Sequence, residues 1–267
     1  MANPAGSFIW YELMTGDPDA AKTFYDAVVG WSIAPAPAAN AGGMDYRMIG
    51  RSDGRFAGGV MRLSDDMRAH GARPMWAPYL SAPDTDAAVA AITADGGRVL
   101  MPATTLDGVG RLAMVADPQG VPIYLMTATP PPGQAETDSD VFSPTAEQRV
   151  GWNELASPDL AASKAFYARH FGFEFNESMS MGPMGDYCFI DHHGQRLGAI
   201  MQRQSELQPA AWLLYFRVPV LAAAKAAIEA GGGTVLVGPM QVPTGQWILL
   251  AMDPQGAGFG LLSATAE

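Results

Sequence analysis

The chain has one cysteine, Cys188, among 267 residues, and only four histidines. A single thiol excludes an intramolecular disulfide framework and any zinc site built on several cysteines. That usage fits a reducing compartment, and a cytoplasmic location is the expectation. Basic residues are also scarce: 16 Lys and Arg face 27 Asp and Glu, for a formal net charge of −11. A surface of that sign disfavours nucleic acid and anionic membrane as partners. No apolar run reaches the ~18 residues a membrane-spanning helix needs. The opening MANPAGSFIW has neither a basic stretch nor an apolar core, so no signal peptide is expected. There is no P-loop, dinucleotide fingerprint, serine-centred nucleophile elbow or HExxH zinc motif. What is present is a globular balance, 48% hydrophobic and 16% charged, which argues against wholesale disorder.

The organisation is a duplication. WYELMTGDPDAAKTFY from Trp10 recurs as WNELASPDLAASKAFY from Trp152, with Glu12 and Glu154 separated by 142 positions. WAPYLSAPDTDAAVAAITADGGRVL from Trp76 recurs from Trp212 at an offset of 136, and DPQG at Asp117 recurs at Asp253 with that same offset. The second copy is therefore six residues shorter between the two blocks. The polar stretches SDGR and SDDMRAHGARP are the places expected to hold the difference. Thr129–Gln148 is rich in proline and polar residues, without apolar periodicity, and reads as a linker. Pro130, Pro131 and Pro132 predict an extended, semi-rigid segment there. The expected domains are residues 1–128 and 149–267, joined by 129–148.

Each copy reads as strand–helix–strands, twice. Residues 8–14 and 150–156 predict strands, and 18–29 and 160–171 predict helices with Phe and Tyr on the buried side. Asp17 and Asp159 stand at or beside the N-caps, and Gly30 and Gly172 suit the C-caps. Short strands are expected near 46–49, 57–62, 187–190 and 197–202. A new strand starts at Trp76 and at Trp212, followed by helices near 84–95 and 220–230 that stop at paired glycines. Further short strands close each copy after DPQG.

This order of motifs resembles the vicinal oxygen chelate superfamily, which includes glyoxalase I, bleomycin resistance proteins and extradiol dioxygenases. The carriers are the inward-facing first strand, the D…A..FY…G helix, the mid-copy helix ending in Gly-Gly, and the DP.G hairpin, all in both copies. The resemblance covers nearly the whole chain outside the linker, and Trp-x-Glu-Leu suggests its two-domain glyoxalase-like branch. It implies an α+β fold of tandem glyoxalase-like domains, each two βαβββ units with curved mixed sheets forming a cavity, four units per chain. It also implies a divalent metal with open positions for substrate oxygens. The metal-ligand positions it implies fall on Trp10 and Trp152, near 76–78 and 212–214, on Tyr124 and Gly260, and near Met61–Arg62 and Met201–Gln202. Only Gln202 matches a family ligand, so no metal ligand is assigned. No cofactor is expected, the alternative being Fe, Mn, Ni or Zn in a rearranged site.

Glu12 and Glu154 are the candidate catalytic residues, because an ionised acid in an otherwise apolar strand is costly unless paired. Two roles are open: an acid serving the ligand site, or an acid tying strand ends to neighbouring backbone or tyrosine hydroxyls. Trp10, Tyr46, Met61, Tyr79 and Tyr124 in the first copy, and Trp152, Tyr187, Met201 and Tyr215 in the second, are the candidate ligand-binding residues. Tyrosines carry most weight, since a buried hydroxyl needs a partner that a ligand can supply. DHHGQR, from Asp191, reads as an exposed hairpin turn rather than a metal cluster. SMSMGPMGDY, from Ser178, reads as a plastic surface loop, or a lid. The expectation is a small-molecule-binding protein with an apolar or aromatic ligand and without the usual metal quartet. The alternative is a lyase, isomerase or oxygenase using Glu12 or Glu154. A small molecule is the expected partner, and the chain is expected to act as a monomeric fused pseudo-dimer or a homodimer.

Overall fold

The computed structural model describes residues 3–39, 43–129 and 138–267. The run Pro130–Pro132 lies outside the described residues. In the first copy the elements are β1 (Phe8–Thr15), α1 (Pro18–Val29), β2 (Ser32–Ile33), β3 (Tyr46–Gly50), β4 (Phe56–Arg62) and α2 (Asp65–Ala69). They continue as β5 (Met75–Ser81), α3 (Thr85–Ala94), β6 (Arg98–Leu106), β7 (Gly110–Ala116) and β8 (Pro122–Ala128). The second copy holds β9 (Val150–Ser157), α4 (Leu160–Phe171), β10 (Ser178–Ser180), β11 (Asp186–His192) and β12 (Gln195–Gln202). It ends with β13 (Ala211–Arg217), α5 (Leu221–Ala230), β14 (Thr234–Gln241), β15 (Trp247–Met252) and β16 (Gly258–Ser263). Apart from α2, this is βαβββ four times.

Local chemistry explains the helix ends. Asp17 is extended and accepts from the amides of Asp19 and Ala20, Pro18 opens the first turn, and Gly30 closes α1 at φ 79°. Asp159 and Gly172 repeat the arrangement around α4. The helix α2, capped by Ser64, accounts for most of the length difference between the copies. The offset drops from 140 at Met61 and Met201 to 136 at Trp76 and Trp212.

The strands form two eight-stranded mixed sheets, ordered β2-β3-β4-β1-β5-β8-β7-β6 and β10-β11-β12-β9-β13-β16-β15-β14. The pairs β1–β4, β5–β8, β9–β12 and β13–β16 are parallel. Few helices beside curved mixed sheets make this an α+β fold. By its internal contacts the chain divides into two compact units, and each draws on both copies. One gathers Met1–Ile9, Ala77–Ser139 and Trp152–Trp212. The other gathers Trp10–Trp76, Asp140–Gly151 and Leu213–Glu267.

The second of these units is centred on aromatic rings. Tyr25, Trp31, Trp76, Phe216 and Phe259 pack mainly edge to face, with centroids 4.7–6.4 Å apart, and all are buried. The Tyr25 hydroxyl accepts from Trp76 Nε1 at 2.9 Å and donates to Asp253 Oδ2 at 3.1 Å. In the first unit Tyr167 accepts from Trp212 Nε1 at 3.2 Å and donates to Asp117 Oδ2 at 3.1 Å. Each aspartate uses its other oxygen to cap its own DPQG turn, accepting from Gln119 and Val121 or from Gln255 and Ala257. Burial raises both carboxyl pKa values above the ordinary range. Gln255 also reaches the start of α1, its oxygen accepting from Thr15 and Asp17. Thus the FY of one copy's first helix is completed by the DPQG of the other.

The segment from Asp140 to Arg149 is tied down. Asp140 and Asp53 hold the buried Arg51 and also Arg149, and Trp31 Nε1 donates to the Gln148 carbonyl at 2.9 Å.

Candidate ligand-binding site

Strand alternation puts Trp10, Glu12 and Met14 on one face of β1, and Tyr11 and Leu13 on the other. On the first face, Trp10 Nε1 donates to the Tyr46 hydroxyl at 2.7 Å. The same hydroxyl is hydrogen-bonded to Glu12. In the second copy Trp152 Nε1 donates to the Tyr187 hydroxyl at 2.8 Å, and that hydroxyl donates to Glu154 Oε2 at 2.6 Å. An indole N–H can only donate. The phenol must therefore accept from tryptophan and pass its own proton toward the carboxylate. Both chains of bonds run in one direction, Trp to Tyr to Glu. Burial first, and the adjacent carboxylate second, push the Tyr46 and Tyr187 pKa values well above the ordinary phenol value.

The two relays differ in detail. Glu12 is 1% exposed, whereas Glu154 is half-buried. Glu12 pairs in register with Gly59, and Glu154 with Ala199. A Cβ at Gly59 would overlap the ring and hydroxyl of Tyr46, so the tyrosine lies flat on bare backbone. Met61 sits opposite Tyr46 and Met14, and Met201 opposite Tyr187 and Ala156.

The remaining candidate tyrosines separate from these groups. Tyr79 and Tyr124 are register partners on β5 and β8, with rings stacked at 4.1 Å and 13°. In the second copy Tyr215 pairs with Gly260, and a Cβ there would overlap its ring. Glycine thus replaces the second member of the stack. The structure therefore assembles Trp10, Glu12, Tyr46 and Met61 as one group and Trp152, Glu154, Tyr187 and Met201 as another, with Tyr79–Tyr124 a pair.

Part of the DHHGQR reading needs correction. His193, at φ 48°, and Gly194 form the hairpin turn, but His192 is only 4% exposed. Its Nε2 lies 2.9 Å from the Ala5 carbonyl. Being the last residue of β11, it points inward by alternation, and burial lowers its pKa. His170 lies 2.8 Å from Asp95. The Met- and Gly-rich stretch forms β10 and a single 3₁₀ turn at Gly182–Met184, with Met179 opposite Tyr187.

The donor set does not fit a divalent metal at the positions the resemblance implied. Trp10 and Trp152 are engaged in the relays, the Tyr124 ring is stacked on Tyr79, and Gly260, Met61 and Met201 offer no hard ligand. Gln202 donates to the Pro158 carbonyl at 2.6 Å and accepts from the Leu160 amide at 3.1 Å, closing the entry to α4. Among the described residues no three His, Cys, Asp or Glu side chains gather into a metal-binding group.

Two features escaped the sequence reading. One is the Tyr–Asp exchange, whose signal was the joint recurrence of FY and DPQG. The other is Arg217, the one charge in AWLLYFR, which is 6% exposed. The first copy has Ser81 at the equivalent place.

Paired βαβββ units, written twice, define a glyoxalase-like fold, and the sequence comparison agrees. The profile of the Glyoxalase/Bleomycin resistance protein/Dioxygenase superfamily matches residues 7–125 and 149–261, and the chain belongs to that superfamily. It is 30% identical over 260 residues to "Putative glyoxylase CFP32" of Mycobacterium tuberculosis, covering 97% of this chain and 95% of that protein. It is 28% identical to the anthracycline biosynthesis protein DnrV of Streptomyces peucetius, covering 96% and 93%. Among solved structures, 2,2',3-trihydroxybiphenyl 1,2-dioxygenase of Sphingomonas wittichii shares the fold with TM-score 0.66 at 16% identity, covering 97% and 90%. The Mn(II)-bound glyoxalase of Novosphingobium aromaticivorans does so with TM-score 0.63 at 17% identity, covering 98% and 83%. No helix among the described residues is long and apolar enough to cross a membrane.

Proposed function

We propose that this chain is a small-molecule-binding member of the superfamily that recognises an apolar or aromatic ligand through organic side chains, without a resident metal. The observation that carries this reading is the pair of Trp–Tyr–Glu relays. Each places an indole, tied to a phenol, where the family resemblance calls for a metal ligand. Indole and phenol rings suit aromatic surfaces, and with their N–H and O–H donors engaged in the relays it is the ring faces that remain for a ligand. The relative named for anthracycline biosynthesis supports an aromatic ligand, because anthracyclines are polycyclic aromatic compounds. Residues 1–128 and 149–267 are taken as two domains joined by 129–148, acting as a fused pseudo-dimer in the cytoplasm. The test is tryptophan fluorescence during titration with polycyclic phenols and quinones, beside elemental analysis of the untagged protein. Saturable quenching without stoichiometric metal is expected. A stoichiometric metal whose removal abolishes ligand binding would overturn the reading.

A second reading is favoured by the geometry at Glu154. Its half-buried carboxylate accepts from Tyr187 at 2.6 Å. The fixed proton direction through the phenol keeps it an acceptor, as a general base must be. On this reading the protein is a lyase or isomerase that removes a proton from the ligand. Glu154→Gln would then abolish turnover while leaving ligand affinity within a few-fold. Unchanged turnover would sink it.

A further inference from the structure

Three arginines are buried among the described residues: Arg47, Arg51 and Arg217. Arg47 is held by Asp45 and Asp19, and Arg51 by Asp53 and Asp140. No carboxylate of a described residue lies within ion-pair distance of Arg217. Its Nη2 donates to the Pro144 carbonyl at 2.5 Å and to Gln246 Oε1 at 3.0 Å, both neutral acceptors. Its Nε is buried and makes no hydrogen bond to any described residue. A guanidinium keeps its charge in proteins, so this is a desolvated cation with an unmet donor. Native proteins seldom leave such a group uncompensated. Burial accordingly works against the charged form here, and only the longer-range attraction of Glu147 opposes it.

The placement of Arg217 gives the unmet donor a chemistry. Two residues apart on β13, Tyr215 and Arg217 share one face of the strand. Their register partners on β16 are Gly260 and Leu262, both uncharged, and Tyr215 lies flat over Gly260. A phenol ring and a buried guanidinium thus share one face of β13, over uncharged register partners on β16. The planar fork of arginine matches a carboxylate, which can take Nε and a terminal nitrogen together.

We propose that Arg217 anchors the carboxylate of an aromatic ligand whose ring packs beside Tyr215. This names the ligand class for the binding function proposed above and rests on that reading. Ser81 stands at the equivalent position in the first copy, so there is one such anchor per chain.

The test is calorimetric titration of the full chain and of Arg217→Gln with three probes: benzoate, its neutral isostere benzamide, and acetate. Benzoate is expected to bind once per chain, about tenfold or more tighter than benzamide, the scale of a hydrogen bond to a charged group. In Arg217→Gln, benzoate should fall to the benzamide level while benzamide is unchanged. Equal binding of benzoate and benzamide by the wild type, or a preference that survives Arg217→Gln, would overturn the anchor and leave the aromatic reading intact. Arg217-dependent acetate binding as tight as benzoate would support the anchor and count against an aromatic body. No binding by any probe would overturn the anchor, and the polycyclic panel would still decide the parent reading. Should Arg217→Gln fail to fold, Arg217→Lys keeps the charge without the fork. The benzoate preference must then shrink, and an unchanged preference would refute the role of Nε.

Discussion

Tyr25 and Asp253 stand 228 positions apart in the chain and share a buried hydrogen bond of 3.1 Å, and Tyr167 and Asp117 share its counterpart. Each bond joins the first helix of one copy to the DPQG turn of the other. Tyr25→Phe leaves a buried carboxylate oxygen short of a donor and Trp76 Nε1 short of an acceptor. A loss of about 1–3 kcal/mol of stability is expected in urea unfolding. Pairing it with Asp253→Asn should give a non-additive cycle. Additive effects would mean that the bond contributes nothing specific.

Gly59→Ala should be costly and Ala199→Gly mild, although the positions are equivalent. The new methyl at residue 59 would overlap Tyr46, whereas Tyr187 already coexists with Ala199. Overpacking of that kind costs about 1–3 kcal/mol. Thermal unfolding of the two variants checks the asymmetry.

The relays can be read through tyrosine ionisation. Glu12→Gln removes the carboxylate contribution to the high Tyr46 pKa but leaves burial, the larger cause. The onset of tyrosinate absorbance should move to lower pH and still lie above that of a free phenol. Glu154→Gln should do the same for Tyr187. No movement in either variant would mean that the phenols do not sense the acids.

His192 sets a pH dependence whose sign follows from burial. Its folded pKa lies below the ordinary value of 6.5, so the unfolded chain binds the proton better. Its contribution to stability is complete above pH 6.5. It declines as the pH falls from there through the folded value. In His192→Gln that part of the acid slope should vanish from stability measured across this window.

The fold was legible because its signals are periodic and repeated: the Asp cap, the FY face, the Gly stop and the DPQG turn each occur twice in order. Both first helices begin and end where caps and glycines placed them. The helix α2 was not foreseen, since DDMRA is polar and buries nothing. The relays were half legible. Alternation put Trp10 and Glu12 on one face, but the phenol that joins them arrives from β3, and strand pairing is invisible in one sequence. His192 was misjudged because the strand runs two residues further than expected and the turn begins only at His193. Arg217 could not be weighed from sequence at all, since its significance lies in the fact that no carboxylate among the described residues approaches it.

The exchange of tyrosines and aspartates changes what the linker is for. Both compact units contain segments from before and after residues 130–137, so a single proteolytic cut there would leave each unit with all its parts. The two products should migrate together under native conditions and part only in denaturant. That outcome would make the peptide between the copies a device of stoichiometry, delivering two non-identical halves at a fixed ratio of one to one. Freed from the need to pair with itself, each copy could drift, leaving Gly59 beside Ala199, Tyr124 beside Gly260 and Ser81 beside Arg217.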